Sequence, residues 1–116
     1  MAEPYFERLS QIMGGLGLTL PESVVLETKH FFSGAALYAN GKICASLGPV
    51  GFAVKLPGEV RQSLIDDGKG KEFRFFEKGP IKREYVALSD TIVQDEKALR
   101  KLIQTGARYA AGGAEE

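Results

Sequence analysis

The dipeptide Asn40-Gly41 constrains this chain more than any other feature. It lies between Ala35-Ala36-Leu37-Tyr38-Ala39 and Lys42-Ile43-Cys44-Ala45-Ser46-Leu47, and both of its residues tolerate the positive φ that a two-residue type I′ turn demands. The flanks therefore read as antiparallel strands, with Ala39 facing Lys42 and Leu37 facing Cys44. Gly48-Pro49-Val50-Gly51 supplies a second reversal. Beyond it Phe52, Val54 and Leu56 alternate with Ala53 and Lys55 as a further strand. Upstream, Val24 to Phe32 is rich in β-branched and aromatic residues and reads as extended, with Ser33-Gly34 as a bend or bulge. The meander counts three strands.

Helical spacing brackets this sheet. Tyr5, Phe6, Leu9, Ile12 and Met13 recur on one face of an opening helix that Gly14-Gly15 should stop. After Pro57-Gly58, Val60, Leu64 and Ile65 mark a short helix closing near Gly68, and Gly68-Lys69-Gly70-Lys71 reads as a loop. Phe73 to Phe76 predicts a fourth strand, Gly79-Pro80 a turn and Arg83 to Leu88 a fifth strand. Asp95 is placed to cap a last helix on which Ala98, Leu99, Leu102, Ile103, Tyr109 and Ala110 share a face. The order α-β(3)-α-β(2)-α, with strands in consecutive runs, predicts an α+β fold with an antiparallel-rich sheet. Residues 1–111 form one domain in this reading, and 112–116 a frayed tail.

Composition excludes several function classes. Leu, Ile, Val and Phe supply 32 of 116 residues, above the roughly 20% under which charged chains stay disordered. Lys plus Arg equals Asp plus Glu at 15 each, so any charge-driven partner needs a local patch. One cysteine rules out an internal disulfide framework, and a single histidine beside it rules out an ordinary His/Cys zinc cage. The N-terminus has neither a basic flank nor an apolar stretch of signal-peptide type, and no uncharged run reaches the roughly 20 residues of a spanning helix. These features predict a cytoplasmic protein with no membrane partner.

His30 and Cys44 are the one pair able to make a thiolate-base dyad. With Asn40-Gly41 setting the register, His30 falls near the level of Gly51, seven residues or roughly 23 Å from Cys44 along the strand. A dyad is not expected, and no catalytic residue is assigned. Gly15-Leu16-Gly17 lacks the third glycine and the preceding strand of a dinucleotide fingerprint, and Gly68-Lys69-Gly70-Lys71 lacks the spacing of a phosphate loop. Asp66-Asp67 offers too few oxygens for a hard cation. No metal or cofactor is expected. Residues 69–83 carry Lys69, Lys71, Arg74, Lys78, Lys82 and Arg83 against two glutamates, interleaved with Phe73, Phe75 and Phe76. With Lys55 they form the candidate interaction surface. Cations among stacking rings can hold single-stranded nucleic acid, but strand alternation sends the rings to the core and Arg74 outward, so a core strand with a solvated edge is preferred. The turns expected to shape the fold are Gly34, Asn40, Gly41, Gly79 and Pro80.

From Phe31 to Ala110 the chain resembles the N-terminal domain of the TfoX/Sxy family, named for a bacterial regulator of competence. The resemblance rests on Phe32-Ser33-Gly34-Ala35-Ala36-Leu37-Tyr38 with Asn40-Gly41-Lys42, on Phe52-Ala53-Val54-Lys55-Leu56, on Gly79-Pro80-Ile81-Lys82-Arg83-Glu84-Tyr85-Val86, and on the helix from Leu99 to Tyr109. Where the family often carries Met-Phe-Gly-Gly, this chain has Phe31-Phe32-Ser33-Gly34, which implies a gentler bend. The resemblance implies the α-β(3)-α-β(2)-α fold reached above from the residues. It supplies no catalytic residues, and its full-length members carry a second, helical domain for which 116 residues leave no room. The expectation is a non-enzymatic regulatory or adaptor domain that binds a protein partner or a second copy of itself. Two alternatives are a nucleic-acid module using residues 69–83 and a small-ligand binder.

Overall fold

Six antiparallel strands form one sheet in the order β1-β2-β3-β4-β6-β5, with helices across one face, in the computed structural model. The residues described are 5–20, 22–31, 34–49, 51–74 and 78–112. The strands are β1 (Leu26–Phe31), β2 (Gly34–Ala39), β3 (Lys42–Gly48), β4 (Gly51–Lys55), β5 (Gly70–Glu72) and β6 (Tyr85–Leu88). The helices are α1 (Tyr5–Leu16), α2 (Gly58–Asp66), α3 (Asp90–Val93) and α4 (Glu96–Ala110). The fold is α+β, with one strand and one short helix more than the sequence pattern counts.

The extra strand comes from the extended run before the hairpin. Phe31 pairs with Gly34, so this run folds back on itself as two strands instead of bending once. Gly34 is required here by close approach: a Cβ on it would stand 2.3 Å from the Leu47 carbonyl oxygen. Ser33 lies outside the described residues, as do Phe32, Val50, Phe75, Phe76 and the tail from Gly113. Asn40-Gly41 turns as expected, with φ of 52° and 82°. Ala39 does face Lys42, but Leu37 faces Ala45 and Tyr38 faces Ile43. Cys44 is the extra residue of a bulge, and the bulge places Cys44 and Ala45, neighbours in sequence, in the same core.

Three other boundaries move for physical reasons. Gly14 and Gly15 lie inside α1, which runs on until Leu16 is buried and Gly17 takes a left-handed φ of 66°. The Arg100 guanidinium donates to the Leu16 carbonyl at 3.0 Å, satisfying that helix end from α4. The fourth predicted strand is displaced onto the predicted loop: Gly70, Lys71 and Glu72 pair with Leu88, Ala87 and Val86, while Phe73 and Arg74 are irregular. At Phe73 tertiary pairing overrides β-propensity. Arg83 and Glu84 form a turn, so β6 starts at Tyr85.

The main core lies between the sheet and the helices. Ala35, Leu37, Phe52, Val54, Val86 and Leu88 face Leu9 of α1 and Leu99, Ile103 and Ala107 of α4. α1 packs on β1, β2 and β3, and α4 crosses β2, β3 and β4. Gly106 allows that crossing, since a Cβ there would stand 2.7 Å from Val54 Cγ1 and 2.8 Å from the Lys55 carbonyl oxygen. On the opposite face Ala53, Phe73, Tyr85 and Ala87 form a second, smaller cluster. Asp95 caps α4 as expected, accepting from the Ala98 N–H at 3.2 Å, and Ser89 caps α3.

Candidate functional site

The chain's imidazole and its thiol are built into the fold separately. Cys44 is buried, and desolvation pushes its thiol up to about 12, against a smaller opposing effect of Lys55. His30 is stacked on the Phe6 ring of α1, with centroids 4.6 Å apart and planes 19° from parallel. His30 pairs with Ala35 and not near Gly51, because β1 folds back. Two strand spacings and two to three register steps then separate it from Cys44, on the order of 12 Å and not 23 Å. At that distance the pair forms no dyad. Among the described residues no three His, Cys, Asp or Glu side chains gather as a metal site.

The seven predicted surface cations fall into separate neighbourhoods. Lys55 is half-buried and pairs with Glu84 at 3.1 Å. Arg74 donates from Nε to the Gly79 carbonyl at 2.9 Å. Gly79 is buried and Pro80 exposed. Lys78, Lys82 and Arg83 are exposed, and the Lys82 N–H donates to the Phe73 carbonyl, so the neighbourhood of Lys55, Arg74, Lys82 and Arg83 is contiguous around the start of β6. Lys71 lies apart, on the edge strand opposite Ala87. It ends a row that crosses the whole sheet as Lys29, Ala36, Ser46, Ala53, Ala87 and Lys71. Lys69 lies on the helix side, beside α2. Phe73 is only 2% exposed, so its ring is closed to base stacking.

The helix side carries a feature that the charge pattern does not announce. α2 leans on β5 and β6 and contributes no fully buried residue, whereas α4 lies over the middle of the sheet. Between them runs a groove of about 550 Å³, walled by Val60 and Leu64 of α2 and by Ala98 and Leu102 of α4, and lined also by Ile92 of α3. Glu59 and Asp67 line it from the α2 side, Lys101 from α4, and Lys69 from the segment between α2 and β5; Ser63 and Thr105 add hydroxyls. Among the described residues none of these four charged groups has an ion-pair partner. The sequence held one signal for this groove. The apolar stripe of α4 has two tracks, and only that of Leu99, Ile103, Gly106 and Ala110 is fully buried, leaving Ala98 and Leu102 half-covered.

This order of strands, helices and turns agrees with the comparison to known families, in which the TfoX N-terminal domain matches residues 20–110. The chain belongs to the TfoX N-terminal domain family. The match takes in all six strands of the TfoX N-terminal fold and the three helices α2, α3 and α4, while α1 precedes it. A search of curated proteins finds no match. Among the described residues of this TfoX N-terminal domain, no helix is long and apolar enough to cross a membrane.

Proposed function

We propose that this TfoX N-terminal domain is a small, non-enzymatic, cytoplasmic adaptor that regulates by holding a protein partner or a second copy of itself. The setting is control of the kind for which the family is named, competence and its transcription. One observation carries the reading. Val60, Leu64 and Leu102 are core-type side chains left half-buried along a surface groove, and such surface marks sites of association. The buried thiol and the stacked imidazole support it, because each is occupied by packing.

A nucleic-acid role ranks lower. Among the described residues the rings beside its cations, Phe73 and Tyr85, are buried, and stacking supplies much of the affinity in single-strand binders. Light scattering combined with affinity capture tests the proposal. A saturable complex or a dimer whose strength changes little with salt is expected. A strict monomer that retains no protein, or one that binds oligonucleotide with affinity falling steeply as salt rises, contradicts it.

A further inference from the structure

We propose that the groove between α2 and α4 is a docking site for one amphipathic helix of a partner protein, about three turns long, with bases along one flank of its apolar stripe and acids along the other. This rests on the adaptor reading and assigns it a place and a ligand chemistry.

Both walls of the groove are helices, and both present residues at helical spacing: Val60 and Leu64 on α2, continued by Asp67 at its C-cap, and Ala98, Leu102 and Thr105 on α4. A third helix laid between them meets each wall with its own i, i+3/i+4, i+7 pattern, the geometry of helix-in-groove recognition. The length of α2 fixes the length of the contact. Its nine residues span about 14 Å, or two and a half turns. The volume of 550 Å³ accommodates a row of apolar side chains, not the whole cylinder of a helix, so the incoming helix buries one face and leaves its flanks at the rims.

The rims then select the flanks. Glu59 and Asp67 border the α2 wall, Lys101 the α4 wall, and among the described residues none of the three has an ion-pair partner. A partner helix with Lys or Arg toward α2 and Glu or Asp toward α4 pairs both walls. One with a single sign on both flanks meets repulsion on one side. Rim charges of this kind govern choice of partner more than total affinity.

The test uses the full chain and three synthetic helical peptides that share one apolar stripe and differ in their flanks: Lys on one and Glu on the other, Lys on both, or Glu on both. Fluorescence anisotropy gives affinity and amide chemical shifts give location. The mixed-flank peptide should bind best, by about threefold to tenfold over either single-sign peptide, the range expected for two or three exposed pairs. Shifts should concentrate at residues 59–67 and 98–105. Leu102→Asp should weaken binding at least about tenfold. Ser63→Arg starts from an exposed position that leaves the core intact, fills the groove from one wall, and should do the same. The double variant Glu59→Lys/Asp67→Lys, also at exposed positions, should transfer the preference to the all-Glu peptide. Equal affinity for all three peptides, no binding by any, or shifts centred elsewhere would overturn the groove assignment. If affinity capture still yields a partner, or light scattering a dimer, unaffected by Ser63→Arg, the adaptor reading stands and the groove falls; if the chain is a strict monomer and capture yields no partner, the adaptor reading itself falls.

Discussion

Asn40 supplies both a backbone conformation and a clamp. Its φ of 52° serves the turn, and its side chain accepts from the Val25 N–H and donates to the Ser23 carbonyl, both at 2.8 Å. The Asn40 N–H also donates to the Val25 carbonyl, so the hairpin tip holds the segment that leads into β1. Asn40→Gly keeps the turn and loses the side-chain bonds, and should cost about 1–2 kcal/mol. Asn40→Ala loses both and should cost about 1 kcal/mol more; urea unfolding of the two variants measures the difference. Cys44 makes a prediction of opposite character, through a proton. Its thiol is raised from 9.0 to about 12, and burial raises the Tyr85 hydroxyl in the same direction. The folded chain therefore keeps both protons at pH values where the unfolded chain loses them. Stability from Cys44 is intact below about pH 9 and falls by about 1.4 kcal/mol per pH unit between 9 and 12, and that from Tyr85 begins to fall only above about pH 10, the ordinary tyrosine value. Cys44→Ala should reduce the slope of that alkaline loss, and native Cys44 should resist thiol reagents at neutral pH. Rapid labelling of folded protein at pH 7 would contradict its burial.

Gly106 shows how an element is positioned by an atom it lacks. Alanine favours a helix over glycine by about 1 kcal/mol, yet Gly106→Ala would press a methyl against Val54 Cγ1 and the Lys55 backbone carbonyl. Backbone gives way poorly, so the net effect should be a loss of about 1–3 kcal/mol, read as a lower thermal midpoint; a gain would mean that α4 does not lie on β4 as described. Elements with strong periodicity were legible in the sequence: α4 with its Asp95 cap, α2, and the alternation of Phe52, Val54 and Leu56. What escaped was fixed by contacts distant in sequence. Between the paired residues Phe31 and Gly34 the sequence has no Asn-Gly or Asp-Gly signature, so two strands read as one. Gly70 looks like loop until Leu88 pairs with it. α3, at four residues, is too short for periodicity to detect. The candidate surface followed the same rule. Local charge density identified Lys78, Lys82 and Arg83 as exposed cations, but Arg74 is bound to Gly79 and Lys55 to Glu84, and the α2–α4 groove exists only once both helices lie on the sheet.

At the scale of the molecule, the arrangement is a sheet with one helix layer that does not close completely. α1 and α4 cover β1 to β4, and α2 covers β5 and β6 from the side, so the gap falls between helices instead of over bare strands. On the far face the smaller cluster around Phe73 and Tyr85 buries rings that a sheet-surface nucleic-acid binder would expose. Partner binding should therefore be felt on the helix side and leave the start of β6 unchanged. Hydrogen–deuterium exchange of the chain alone and in complex with a captured partner measures this directly. The account predicts new protection confined to α2 with its C-cap and the first two thirds of α4, residues 58–67 and 96–105, with 78–85 unaffected. Protection centred on 78–85, or none in either helix, would contradict it.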